Sequence, residues 1–246
     1  YNRYATYMNR NKSFWKEDLK PGYYDEIITE GFKKKRGLQF NWHNGTYLNV
    51  LKLIHDTSSH LDYACGSGTF IGQYLGKNSI GVDIAPLQID FAKQKYGQHK
   101  FLLVDDLNIS NNKERFDTIT VLGLLEFLTL KDSKLLLKQL SKLLSSEGKL
   151  ILTTPNYSLF FRIFQKISVF FGINNYSSVI QSKYTKKKLE KLIQDTDLNI
   201  ITIKKIINFG IFFSVINNEL GLKIEKIIEI IFANFFGFIL IVEVKN

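Results

Sequence analysis

Apolar residues along this chain fall into two rhythms, and the change between them divides the sequence. Up to residue 56 the rhythm is helical: in "GTYLNVLKLIHD" Tyr47, Leu48, Leu51 and Ile54 recur at the spacing of one helix face. From residue 57 short β-rich runs alternate with helical stretches. "SHLDYA" is followed by a helix from about Phe70, "SIGVDIA" by "PLQIDFAKQKY", then comes "KFLLVD", and "FDTITVLG" is followed by "KDSKLLLKQLSKLL" and "GKLILTTPN". Pro86 suits a first helical turn, and Glu147-Gly148 marks the turn into the fifth strand. Beyond these, "YTKKKLEKLIQD" predicts a helix capped by Thr185, "LNIITIKKI" a sixth strand and "FGFILIVEV" a seventh. Near-continuous apolar strands separated by helices predict an α/β fold, a doubly wound and mostly parallel sheet built from right-handed crossovers.

Two apolar segments do not fit a bare sheet of this kind. Residues 157–172, "YSLFFRIFQKISVFFG", would as a helix set Arg162, Gln165 and Lys166 on one side. Phe160, Phe161, Phe164, Ile167, Phe170 and Phe171 would cover a wide arc. The second, from Phe209 to about Phe236, lies between strands six and seven. Neither reaches the ~20 uninterrupted apolar residues that span a bilayer. They read as a lid or a membrane-facing surface, with burial as ordinary core helices as the alternative.

Composition narrows the class. The chain has 246 residues, 45% of them apolar, and only 3 prolines, with no linker or repeat, so it reads as one unit. Within 1–246 the expected parts are a helical extension (1–56), a ligand-binding core (57–156) and an apolar lid insertion (157–182). A C-terminal part (183–246) carries one helix, the last two strands and the second insertion. The single cysteine, Cys65, excludes an internal disulfide framework and a cysteine-based zinc cluster, and 4 scattered histidines add no metal spacing; no metal is expected. The N-terminus lacks a signal peptide's apolar core and an initiator Met, which reads as a trimmed or fragmentary chain; the expected location is cytoplasmic, with peripheral membrane contact. A net charge of +10 admits an anionic partner, yet the Lys-, Ile- and Asn-rich composition explains it without one, and no nucleic-acid motif accompanies the lysine clusters.

The candidate chemistry sits in "LDYACGSGTF". A strand ending at Ala64, then Cys65-Gly66-Ser67-Gly68 and a helix, presents backbone N–H groups at a helix N-terminus, a site suited to a nucleotide-type ligand. Asp83 ends the second strand, where a carboxylate accepts from both hydroxyls of a ribose, and Asp105-Asp106 ends the third at the same sheet edge. A dinucleotide fingerprint would need a third glycine where Ile71 stands, with Gly72 one residue late.

The D-x-A-C-G-S-G-T pattern from Asp62 to Thr69 resembles motif I of the class I S-adenosylmethionine-dependent methyltransferases, usually D/E-x-G-x-G-x-G, with Ala64 at the first glycine. "GVDIA", "FLLVDDL", "FDTITVLGLLEFL" and "LSKLLSSEGKLILTTPN" are similar to the later motifs in the same order, over about residues 57–156. Within that family the texture is closest to ubiquinone-biosynthesis-like small-molecule enzymes. The resemblance implies a seven-stranded sheet ordered 3-2-1-4-5-7-6 with the last strand antiparallel, and S-adenosylmethionine as cofactor, leaving as S-adenosylhomocysteine. It implies that Ala64, Gly66 and Gly68 approach the methionine part while Asp62 orients its amino group. Asp83 would hold the ribose, with Ile84 among the cofactor-binding residues, Asp105 or Asp106 the adenine amine, and Leu122 the backbone side of the pocket.

Glu126 stands where relatives often show Glu-His, but Phe127 replaces the histidine; it is a substrate-contact candidate. His43, in "FNWHNGTY", precedes the cofactor loop and is the candidate for substrate contact or general base, a structural histidine beside Trp42 being the alternative. Tyr184, in a region that covers the substrate in the family, is a second substrate candidate, with an aromatic that opens the following helix as the alternative. The expected reaction is methyl transfer to an acceptor that is small or lipid-like and hydrophobic, at oxygen. An NAD-dependent oxidoreductase and a catalytically degenerate cofactor-binding module stand as competing readings.

Overall fold

The computed structural model describes residues 14–54, 59–75, 79–107, 114–170, 178–232 and 235–246. The first thirteen residues and Phe171 lie outside them, as do the side chains of Ile167 and Phe170. Seven strands form one sheet: β1 (His60–Tyr63), β2 (Ile80–Asp83), β3 (Lys100–Leu103), β4 (Phe116–Leu122), β5 (Leu144–Pro155), β6 (Asn199–Ile206) and β7 (Ile239–Lys245). Their order is β3-β2-β1-β4-β5-β7-β6, the one the resemblance implied. The first five run parallel and β7 is antiparallel to both β5 and β6.

The helices are α1 (Tyr23–Lys34), α2 (Leu38–Leu51), α3 (Pro86–Lys95), the single turn α4 (Val104–Leu107), α5 (Leu130–Ser141), α6 (Leu159–Phe170), α7 (Lys186–Gln194) and α8 (Asn218–Phe232). Local chemistry explains several boundaries. Pro86 is at the first turn of α3. Thr129 and Thr185 cap α5 and α7, their hydroxyls accepting from the backbone N–H of Asp132 at 3.1 Å and Lys188 at 3.4 Å. The Glu147-Gly148 pair, expected as a turn before strand five, lies inside β5, where the register with β4 shifts between Phe116 and Thr118. The extra residues are absorbed as an irregularity of the ladder instead of a turn. Helix α2 starts at Leu38, before the "GTYLNVLKLIHD" stretch, so "FNWHN" is helical and His43 stands on a rigid element.

Leu61, Ile119, Val121, Leu150, Leu152 and Val242 pack against α5 and α7 in the largest core. A smaller core holds α3 through Ile89, Ala92 and Phe101. Leu38, Phe161, Phe164, Ile207 and Phe238 form a third, in which the two apolar segments meet the antiparallel end of the sheet. The core reading of those segments holds for part of them: Phe161 and Phe164 are buried, whereas Leu159, Ile163, Ile227, Ile230 and Ile231 are exposed.

Candidate functional site

Strand register puts the site at one edge. Tyr63 pairs with Val82 on one side and with Val121 on the other, and Asp83 pairs with Leu103, so β1, β2, β3 and β4 end at about the same level. The strand order reverses at β1, between β2 and β4, and a crevice opens at such a switch point beyond the carboxyl ends of the strands. A cavity of about 540 Å³ occupies it.

The loop after β1 forms its floor. Ala64, Gly66 and Gly68 have φ of 66°, 52° and 72°, so the turn is left-handed at three positions, and Ala64 carries a Cβ where L-residues are strained. The turn is tied to β2: the N–H groups of Ala64 and Cys65 both donate to the Val82 carbonyl, at 2.8 and 3.0 Å, and Gly66 N–H donates to Asp83 Oδ2 at 2.8 Å. The two glycines differ in surroundings. A Cβ on Gly66 would meet only Tyr24, at 4.0 Å, whereas one on Gly68 would lie 2.6 Å from the Phe101 ring and 3.0 Å from Ala92. Gly66 lines the cavity with Tyr24; Gly68 is packed into the sheet–helix core, off the cavity.

The charged groups of the described lining are acidic. Asp62 is buried, its Oδ1 accepting from Thr120 Oγ at 2.6 Å, while Thr120 contacts His60 Nε2 at 3.1 Å. Burial, and Asp83 nearby, push the Asp62 carboxyl up to about 7 against the pull of the Thr120 hydrogen bond. Asp83 Oδ1 accepts from Ala85 N–H at 2.9 Å; its pKa too is raised by burial, opposed by the backbone donors. Glu126 sits in the 3₁₀ turn Leu125–Phe127, its Oε2 accepting from Thr154 Oγ at 3.0 Å, and burial pushes it up to about 7. Among the described residues no lysine or arginine lines the cavity. Three buried carboxylates beside a tight backbone turn, with no lysine or arginine among the described lining residues, fit a cationic ligand such as an adenosyl sulfonium bearing an ammonium group. Among the described residues no group of histidine, cysteine, aspartate and glutamate could hold a metal ion.

The opposite wall is apolar. Trp42 stacks on Phe164 at 5.3 Å between centroids, Phe161 on Phe164 at 5.8 Å, and Tyr157 meets Phe161 edge-on at 5.0 Å. Leu38, Ile180 and Ile239 complete it. Trp15, from the helical turn Phe14–Asp18, packs on Phe127 at 4.7 Å at the rim. His43 lines the cavity between Tyr24 at 5.0 Å and Tyr47 at 6.2 Å, and burial lowers its pKa to about 4, so its imidazole is neutral at pH 7.

Of the residues singled out in the sequence, the structure brings His43, Asp62, Ala64, Gly66, Asp83, Ile84, Leu122 and Glu126 to this one cavity. Gly68, Asp105, Asp106 and Tyr184 stand elsewhere. Asp105 and Asp106 are exposed on α4, and Val104 is the residue of that turn that lines the cavity. Tyr184 is fully buried in the main core, its hydroxyl donating to Ser133 Oγ at 3.0 Å. It precedes the Thr185 cap, and Leu189 one turn on is in the same core, the arrangement of a hydrophobic staple. That corrects the substrate-contact expectation to the helix-opening one. Sequence reasoning missed Thr69, Thr153 and Thr154 as lining residues. The small polar pair closing β5 in "LTTPN" was the signal available for the last two.

A family model described as a methyltransferase domain matches residues 33–203. No curated protein matches the chain. Among solved structures, an S-adenosylmethionine-dependent methyltransferase from Archaeoglobus fulgidus is 18% identical, over 84% of this chain and 94% of that one, with a TM-score of 0.59. One from Clostridium acetobutylicum is 15% identical, over 91% and 97%, at 0.57. The magnesium protoporphyrin IX methyltransferase from Synechocystis, solved with bound S-adenosylhomocysteine, is 16% identical, over 85% and 83%, at 0.52. The family match spans α2, the left-handed turn and β1 to β5, and so the chain belongs to the methyltransferase-domain family and is a class I S-adenosylmethionine-dependent methyltransferase.

Proposed function

We propose that this enzyme methylates an oxygen atom of a small or lipid-like, uncharged and hydrophobic acceptor. Family membership sets aside the NAD-dependent and the non-enzymatic readings. The observation that carries the proposal is the division of one cavity into a carboxylate-rich floor and an aromatic wall, with no lysine or arginine among the described residues that line either. An acceptor bearing phosphate or carboxylate would leave its charge unpaired there, beside Asp62 and Glu126.

S-adenosylmethionine, when bound, supplies an activated methyl group. The residues of this chain then have to bind, align and exclude water. In this reading Asp62 and the Gly66 backbone hold the methionine end, with Ala64 shaping the turn. Asp83 takes the ribose hydroxyls with the lone pairs that its backbone donors leave over, and Ile84 and Val104 flank the adenine. Asp105 or Asp106 would reach the adenine amine only from the outer side of α4, and Leu122 closes the strand-four side. Trp42, Phe161 and Phe164 seat the acceptor. His43, neutral at pH 7, and Glu126, raised by burial to about 7, are the groups assigned to receive the proton that leaves an acceptor hydroxyl. The enzyme would act in the cytoplasm at a membrane surface, where hydrophobic acceptors are concentrated.

The test is transfer of radiolabelled methyl from the cofactor into fractions of a cell extract. Label in the neutral lipid or aromatic fraction, lost in Asp83→Ala and slowed in Glu126→Gln and His43→Ala, supports the reading. Label confined to nucleic acid, protein or anionic metabolites overturns it.

A further inference from the structure

Helix α6 is a partition. Its inner face supplies Phe161, Phe164 and Gln165 to the cavity. Its outer face consists of Leu159, Arg162, Ile163 and Lys166, at i, i+3, i+4 and i+7, all exposed, with Leu159 at 68% and Ile163 at 44%. The helix contains no acidic residue. A surface helix ordinarily puts its polar residues outward, so two exposed aliphatic side chains alternating with two cations on the solvent side mark an interaction face.

The apolar surface continues past the helix. Phe160 meets Phe235 at 6.4 Å and Phe236 at 4.8 Å, and Phe232 meets Phe236 at 5.2 Å. Phe232 and Phe235 are 47% and 61% exposed, and α8 leads away from them with Ile230 and Ile231 exposed by 71% and 65%. Among the described residues no helix is long and apolar enough to cross a membrane. The charge on α6 selects among occupants. A second copy packed through the same helix face would set Arg162 and Lys166 against their own counterparts, since α6 carries no acidic residue, whereas an anionic lipid surface complements them and accepts the aliphatic side chains below its headgroups.

We infer that the outer face of α6, with the adjoining Phe232 and Phe235, docks this enzyme on an anionic lipid surface and makes α6 the wall between the bilayer and the acceptor chamber. The inference rests on the proposed hydrophobic acceptor only for the purpose of the docking; the surface itself stands on exposure and charge.

Sedimentation with vesicles tests it, using phosphatidylcholine alone and phosphatidylcholine mixed with phosphatidylglycerol. The protein should bind the mixed vesicles in preference to the neutral ones, and salt should weaken the binding. Arg162→Gln with Lys166→Gln should lower partitioning roughly 30-fold. Leu159→Ser with Ile163→Ser should lower it on both vesicle types. Both double variants should titrate with S-adenosylmethionine as the parent does, which shows that they are folded. Absence of binding to the mixed vesicles, or binding indifferent to both variants, overturns the inference, as does self-association that the same variants abolish. Vesicle binding that persists in a protein unable to transfer methyl to any hydrophobic acceptor would leave the docking surface standing and remove the proposed acceptor class.

Discussion

Gly66 and Gly68 are two residues apart in one loop, and the structure predicts that alanine at each fails in a different way. At Gly68, φ of +72° imposes about 1–2 kcal/mol of left-handed strain on any side chain. The new methyl would also lie 2.6 Å from Phe101 and 3.0 Å from Ala92, both buried, for a further 1–3 kcal/mol or so. Gly68→Ala should therefore destabilise by about 3 kcal/mol, which for a chain of this length is a fall in Tm of roughly 6–12 °C. At Gly66 the strain is similar, but the added methyl would have Tyr24 as its only neighbour, at 4.0 Å. Gly66→Ala should cost only about 1 kcal/mol of stability. Its methyl would instead occupy the space in which the backbone meets the cofactor and weaken S-adenosylmethionine binding about tenfold or more. Denaturant unfolding without ligand and calorimetric titration with cofactor separate the two effects. Equal destabilisation by both variants, or a larger loss of affinity in Gly68→Ala than in Gly66→Ala, would refute this account of the loop.

Ala64 occupies the left-handed position at which the family motif has glycine, so Ala64→Gly should relieve strain and raise stability by about 0.5–1 kcal/mol, the greater freedom of glycine in the unfolded chain offsetting the rest; thermal unfolding measures it, and a loss of stability contradicts it. Asp62 is raised to about 7, so below that pH it must lose a proton to face a cationic cofactor: affinity should climb up to about tenfold per pH unit towards pH 7 and level off above it. Asp62→Asn should bind more weakly and without that slope, as titrations between about pH 5.5 and 8 would show. Glu126 is likewise raised above its unfolded value, so the stability it contributes is complete below about pH 4.5 and is lost as pH rises through 7. The ligand-free protein should lose about 3 kcal/mol from this source across that window, and Glu126→Gln should flatten the corresponding part of the denaturation profile.

The element order, the strand ends and the acidic residue closing β2 were legible in the sequence because they arise from short-range chemistry. Alternating strand and helix rhythms, Pro86 at a helix start, threonines at caps and small residues at a left-handed turn are each decided within a few residues. Even Ala64 in place of glycine left that turn intact, at a cost the local backbone carries. What local pattern could not supply was direction and company. That Gly68 faces Phe101 and Gly66 faces the cavity, that Tyr184 fills the core, and that Asp105 and Asp106 point to solvent all depend on residues distant in sequence. The lining of the cavity by Trp15, Trp42, Phe161 and Ile239, and the placing of every described lysine and arginine outside it, follow from packing across more than two hundred residues. Burial is a property of the assembled chain, and only burial makes Asp62 and Glu126 titrate near neutrality and keeps His43 uncharged.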